Sequence, residues 1–222
     1  MKRLKISIVT PVYDDWESLA QLINEIILLF NKHNRFSIER IIVVNDGSKT
    51  EPPAFILENS IVSIVHLATN LGHQRSIAIG LCYAKNNLRQ SDYVVVMDSD
   101  GEDQPKDIIK MLECAVIKKS TIIFAKREKR SESILFKLNY LIYKRIFKLL
   151  TMSEINFGNF SVIPFFKLKN IISNPDTWNH YSSSIIKSKM KYTTTPTSRG
   201  KRYFGKSKMN FSNLVTHGLS SI

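Results

Sequence analysis

Four carboxylates, Asp98, Asp100, Glu102 and Asp103, crowd into the stretch YVVVMDSDGEDQP at residues 93–105 of a chain whose formal net charge is +13. The β-branched run Val94, Val95, Val96 reads as a buried strand, and Gly101 and Pro105 turn the chain directly after it. In extended backbone, residues two apart point the same way, so Asp98, Asp100 and Glu102 can converge on one point. Three hard oxygen donors on one side suit a divalent cation, Mg²⁺ or Mn²⁺.

Basic residues thicken elsewhere, at 126–130, 137–148 and 199–208. Such an excess attracts a polyanion: nucleic acid, anionic lipid or a phosphorylated substrate. The aromatic-rich basic repeats of a nucleic-acid module are absent, which argues against nucleic acid as partner. Residues 131–152 form a helical pattern with Ile134, Leu138, Leu141, Ile142 and Leu149 on one side and Lys137, Lys144, Arg145 and Lys148 on much of the rest. A helix of this kind either packs on a core or lies in a membrane interface.

The elements that must position these groups alternate between β-branched runs and amphipathic ones, the pattern of βαβ units and a mainly parallel sheet. Strands are expected at 4–10, 40–45, 61–67, 93–98 and 121–125, and helices at 19–30, 74–86 and from Pro105 onward. Proline is tolerated at that opening because the first-turn amide has no intrahelical partner. Three loops, PVYDD, NDGSKT and DSDGEDQP, follow carboxyl ends of strands, the edge where open α/β sheets bind ligands. Neither G-x-G-x-x-G nor G-x-x-x-x-G-K-[ST] occurs, so a glycine-built phosphate cradle is not expected.

With 222 residues and 43% apolar content the chain suits one generous domain. Cys82 and Cys114 fall in helical patterns and read as buried thiols of a reducing compartment, with no disulfide framework. No signal peptide and no run of about 18 uncharged apolar residues is evident, so a cytoplasmic location is the expectation.

With these loops placed, the chain resembles the inverting glycosyltransferases of family 2, particularly the polyprenyl-phosphate sugar transferases. The anchors are SIVTPVYDD (7–15), VVNDGSKT (43–50), NLGHQRSIAIGL (70–81), VVVMDSDGEDQP (94–105), GNFSVIP (158–164) and RGKRYFGKSKMNF (199–211), in the family's order. The resemblance implies a single GT-A domain over 1–222, an α/β nucleotide-diphospho-sugar fold with a mostly parallel sheet flanked by helices. Residues 1–126 would form the nucleotide-sugar and metal half, and 127–222 the acceptor half. HGLSSI at 217–222 matches the place where many relatives lead into transmembrane helices.

Roles follow by position. Pro11, Tyr13 and Asp15 look like the loop that receives base and ribose, and Asp46 like the base-reading carboxylate. Gly72, His73 and Gln74 would continue that wall, with Ser99 beside it. Asp98 and Asp100 resemble the D-x-D pair that holds metal and diphosphate, and Glu102 stands where the family has a glutamine ligand. Arg199, Arg202, Ser207 and Lys208 match a phosphate-clasping segment over the acceptor. The family's G-D-F motif, whose Asp is treated as catalytic, is here Gly158-Asn159-Phe160. An amide cannot take a proton, so either the acceptor arrives ionised, a carboxylate such as Asp103 or Glu154 is the base, or activity is lost.

The expected function is transfer of a sugar from a nucleotide-diphosphate donor to a polyprenyl phosphate or glycan, with Mg²⁺ or Mn²⁺, on the cytoplasmic face of an anionic membrane. An oligomer is compatible with this reading. The competing class is a basic protein that binds membrane or nucleic acid on a catalytically degenerate GT-A scaffold.

Overall fold

A computed structural model describes residues 3–88, 91–127 and 157–205, and the helical pattern at 131–152, together with Glu154, Ser207 and Lys208, lies outside them. The first half follows the expected alternation: β1 Leu4–Val12, α1 Trp16–Asn31, β2 Phe36–Asn45, α2 Ala54–Leu57, β3 Val62–His66, α3 His73–Asn87, β4 Tyr93–Val96, α4 Pro105–Ile117 and β5 Ile122–Arg127. Beyond it come β6 Ser161–Pro164, α5 Leu168–Ile172, α6 Tyr181–Lys187 and β7 Tyr192–Thr197, with 3₁₀ turns at Phe165–Lys167 and Pro175–Trp178.

Seven strands form one sheet in the order β3-β2-β1-β4-β6-β5-β7. β1 pairs parallel with both β2 and β4, and β2 with β3. β6 runs antiparallel between β4 and β5, so the sheet is mostly parallel with one reversed strand. The strands alternate sides with period two. Ile6, Ile8, Ile41, Val43 and Val95 pack under α1 and α4, through Leu22, Ile26, Ile108 and Leu112. Val9, Ile42, Val44, Val94 and Val96 face α3, α5 and α6, through Ile77, Leu81, Leu168 and Ile185. A sheet covered on both faces explains why its strands are near-continuous apolar runs.

α3 lies close on that second face because Gly80 has no side chain; a Cβ there would stand 2.4 Å from Val9 Cγ1. Cys82 on α3 and Cys114 on α4 are free and half-buried rather than fully buried, since each sits at the flank of its helix's apolar stripe. Among the described residues no helix is long and apolar enough to cross a membrane.

Candidate active site

The carboxyl ends of β1, β2 and β4 lie side by side, so the loops after them share one edge of the sheet. Asp14 ties the first two together. It adopts φ 47°, a left-handed conformation that aspartate tolerates. There its Oδ1 accepts from Lys49 N at 2.7 Å and Thr50 N at 3.3 Å, while its own amide donates to Ser48 Oγ at 2.9 Å. Trp16 Nε1 adds a bond to Thr50 O at 2.9 Å. Tyr13 and Asp15 are therefore presented by a braced loop, and Pro11 by the last residues of β1.

Asp46, only 4% exposed, accepts from Leu71 N at 2.8 Å on one oxygen and from Gly72 N at 3.1 Å on the other. Its carboxylate orients the loop that opens α3, and so places His73 and Gln74. His73 Nε2 lies 3.1 Å from Asp98 Oδ1, which brings the α3 entry to the acidic turn. Burial lowers the imidazole's pKa, but the neighbouring Asp98, Asp103 and Asp100 outweigh it and hold it above its usual value. Gln74 is buried and links α3 to Asn159 and to Tyr181.

The turn after β4 is pinned internally. Asp98 N donates to Asp103 Oδ2 at 3.1 Å and Glu102 N to Asp100 Oδ1 at 2.9 Å. Asp103 is 3% exposed, and its carboxylate braces the turn. Burial raises the Asp100 pKa, with the charges of Asp98 and Glu102 adding to it and the Glu102 amide and Arg202 opposing. Ser99 is buried in the same turn.

Over this turn runs the segment after β7. Gly200 N donates to Glu102 O at 2.8 Å and Tyr203 N to Asp100 O at 2.9 Å, so backbone lies on backbone. Two glycines permit that approach: a Cβ on Gly200 would stand 2.2 Å from Gly101 O, and one on Gly101, at φ +87°, 2.5 Å from the Tyr203 ring. Arg199 pairs with Glu102, and Arg202 reaches Asp100 Oδ2 at 3.0 Å and Asp15 Oδ2 at 2.9 Å. Tyr203 Oη closes the strap on α1 by donating to Glu25 Oε2 at 2.7 Å.

The structure thus brings Asp15, Asp98, Asp100, Glu102, His73, Gln74, Asn159, Arg199 and Arg202 to one edge. Asp14, Tyr203 and Glu25 were not anticipated; the doubled aspartate in PVYDD and the aromatic between Arg202 and Gly205 were the available signals. Among the described residues no three His, Cys, Asp or Glu side chains gather into a metal cage. The donor chemistry still fits a hard cation, because Mg²⁺ characteristically rests on one or two carboxylates plus substrate phosphates. Asp98 and Glu102 also set negative charge beside Asp100, which a cation would offset.

The model of glycosyl transferase family 2 matches residues 7–190. Among curated relatives the chain is similar to the uncharacterized glycosyltransferase YkcC of Bacillus subtilis, 29% identical over 147 residues, 61% of this chain and 41% of that protein. An undecaprenyl-phosphate 4-deoxy-4-formamido-L-arabinose transferase of Proteus mirabilis is 30% identical over 117 residues, 50% of this chain and 33% of that protein. The chain spans less than half the length of these relatives. Among solved structures, glucosyl-3-phosphoglycerate synthase from Mycobacterium tuberculosis, in complex with Mn²⁺, UDP-glucose and phosphoglyceric acid, matches with TM-score 0.68 at 12% identity, over 97% of this chain and 76% of that one. Mannosyl-3-phosphoglycerate synthase from Rubrobacter xylanophilus matches with TM-score 0.62 at 12% identity, over 98% and 71%. These two likenesses speak for the GT-A fold. With most of its length matched by the family model, the chain belongs to glycosyl transferase family 2.

Proposed function

We propose that this chain is an inverting glycosyltransferase that moves a sugar from a nucleotide-diphosphate donor to a lipid-linked phosphate or a glycan. One observation carries the reading: Arg202 spans from Asp15, in the loop after β1, to Asp100, in the turn after β4. Carboxylates paired with guanidinium groups at one edge of the sheet suit a ligand that brings both a cation for the acids and phosphate for the arginines.

Pro11, Tyr13 and Asp15 would hold the base and ribose, with Asp46 fixing the neighbouring loop and Gly72, His73, Gln74 and Ser99 completing the wall. Arg199 and Arg202, and with them Ser207 and Lys208, would receive phosphate, for which a planar fork is suited. Mg²⁺ or Mn²⁺ held by Asp98 and Asp100, with Glu102 adjacent, would supply charge neutralisation of the departing diphosphate. His73, whose pKa the neighbouring acids raise against the lowering effect of burial, lies against Asp98 on the same side. Asp103 would keep the turn in shape. In this reading residues 1–126 serve the donor and 127–222 the acceptor, and the formal charge of +13 favours the anionic cytoplasmic face of a membrane.

Thermal-shift titration with nucleotide-diphosphate sugars, with and without Mn²⁺ or Mg²⁺, tests the proposal, since a ligand of the folded form alone raises its melting temperature. At least one nucleotide should stabilise the protein in a metal-dependent way, and Asp100→Ala should abolish both that dependence and sugar transfer. Transfer at full rate by the Asp100→Ala protein would refute the metal role.

A further inference from the structure

Three carboxylates of the acidic turn each meet a nitrogen brought from another segment. Asp98 meets His73 Nε2 at 3.1 Å, Asp100 meets Arg202 Nη1 at 3.0 Å, and Glu102 meets Arg199. Arg202 has the widest reach, because its second terminal nitrogen lies 2.9 Å from Asp15 Oδ2 in the loop after β1. The side chains of Arg202, Asp15 and Asp100 are between 16% and 25% exposed, so their attraction is screened less than at an open surface.

The two oxygens of Asp100 are divided. Oδ1 accepts from Glu102 N at 2.9 Å, and Oδ2 is the one that takes Arg202. That amide is fixed in the turn, whereas the guanidinium stands at the end of a long side chain, so Oδ2 is the oxygen that can change partner. Tyr203, next in the chain to Arg202, is bonded at both ends, N to Asp100 O at 2.9 Å and Oη to Glu25 Oε2 at 2.7 Å. On the other side Gly200 N is bonded to Glu102 O at 2.8 Å. The backbone flanking Arg202 thus rests on the turn whichever anion the guanidinium holds.

We infer that Arg202 is a built-in counter-ion of Asp100 that competes with a divalent cation for Oδ2 and moves to the phosphates as a nucleoside diphosphate binds, so that cation and diphosphate bind cooperatively. The inference rests on the transferase reading above and deepens it by stating how the two ligands depend on each other. A cation alone meets a carboxylate oxygen that is already paired, and its like charge repels the guanidinium. A diphosphate alone attracts Arg202 but leaves Asp100 and Asp15 without that partner and beside new negative charge. When both arrive, partners are exchanged: the guanidinium, whose planar fork suits phosphate, leaves the carboxylates, and Asp100 turns to the cation. Asp15 is released in the same exchange, which frees the loop proposed to hold base and ribose. Each ligand then offsets the cost that the other imposes. That is positive coupling, and it is equal in both directions.

The test compares wild type with Arg202→Gln and Arg202→Lys. Calorimetry at neutral pH measures binding of Mn²⁺ alone, of UDP, GDP and CDP alone, and of each diphosphate together with Mn²⁺, with the association of Mn²⁺ and nucleotide in buffer subtracted. In wild type, Mn²⁺ and the diphosphate that binds should raise each other's affinity by at least ~10-fold. Arg202→Gln should bind Mn²⁺ alone several-fold more tightly than wild type and lose most of the coupling. A residue that merely kept the strap in shape would give the opposite sign, since a loosened turn holds a cation less well. Arg202→Lys keeps the charge without the fork, should fall between the two, and serves if the glutamine variant does not fold. Mn²⁺ binding by Arg202→Gln no tighter than by wild type, or coupling undiminished in it, overturns the inference. Failure of every diphosphate to bind, with the gain in Mn²⁺ affinity intact, sinks the transferase reading instead.

Discussion

Arg202 places Nη1 3.0 Å from Asp100 Oδ2, joining the strap after β7 to the acidic turn after β4, 102 residues apart in the chain. Its other terminal nitrogen is 2.9 Å from Asp15, so one side chain closes three segments on each other. Arg202→Gln should open the strap, exposing Arg199 and Lys201 to trypsin; peptide mapping of limited digests would show faster cleavage there than in wild type. Arg202→Lys should fall between the two, because an ammonium is a point charge without the planar fork that spans two carboxylates. Unchanged cleavage in both variants would show that the backbone bonds alone hold the strap.

Gly101 combines a positive φ with the Tyr203 ring at contact distance. Gly101→Ala should therefore destabilise the protein by more than about 1 kcal/mol, read from urea unfolding. Adding Tyr203→Ala should recover the steric part of the Gly101→Ala loss and none of the backbone part, so the double variant should lose less than the sum of the two single losses and stay below wild type. Full recovery would place all of the cost in the ring contact.

Asp14 Oδ1 accepts from two amides of the second loop. Asp14→Ala leaves two amides, Lys49 N and Thr50 N, without their acceptor. A loss of about 1–3 kcal/mol is expected, together with weaker nucleotide binding because the first two loops no longer share one position. Calorimetry and thermal unfolding on the same sample would check both, and a change in nucleotide affinity without any loss of stability would instead put Asp14 in contact with the ligand.

Burial raises the Asp107 pKa, against the Ser198 amide and the nearby Lys106 and Lys110, which lower it. A carboxyl raised in the folded state binds more protons there than in the unfolded chain, so its contribution to stability falls as pH rises from the ordinary carboxylate value through the folded one. Asp107→Asn, whose Oδ1 can still receive the Ser198 amide, should thus raise the melting temperature at pH 7 and leave it unchanged near pH 3. A lower melting temperature at pH 7 would show that the charge itself is needed.

Much of the first half of the fold was legible in the sequence. The β-branched runs around Ile8, Val43 and Val95 and the stripe from Leu19 to Phe30 are periodic signals that local backbone geometry imposes directly. β6 and β7 were not legible. Ser161–Pro164 is short and ends in proline, and Tyr192–Thr197 carries Pro196 inside it; β7 tolerates that residue because it is the last strand of the sheet. The helical pattern at 131–152 falls outside the described residues.

By itself the sequence determined the family, the alternating architecture and the three loops at one edge of the sheet, because all of these follow from residue types at short spacing. It also placed Asn159 where an aspartate was expected. Only the tertiary structure decided what each polar group does. Asp46 and Asp103 turn out to brace backbone amides, Arg202 to join Asp15 with Asp100, and Asn159 Oδ1 to accept from Gln74. The physical reason is that a side chain's task depends on which donor or acceptor stands about 3 Å away, and for these residues that partner comes from another part of the chain.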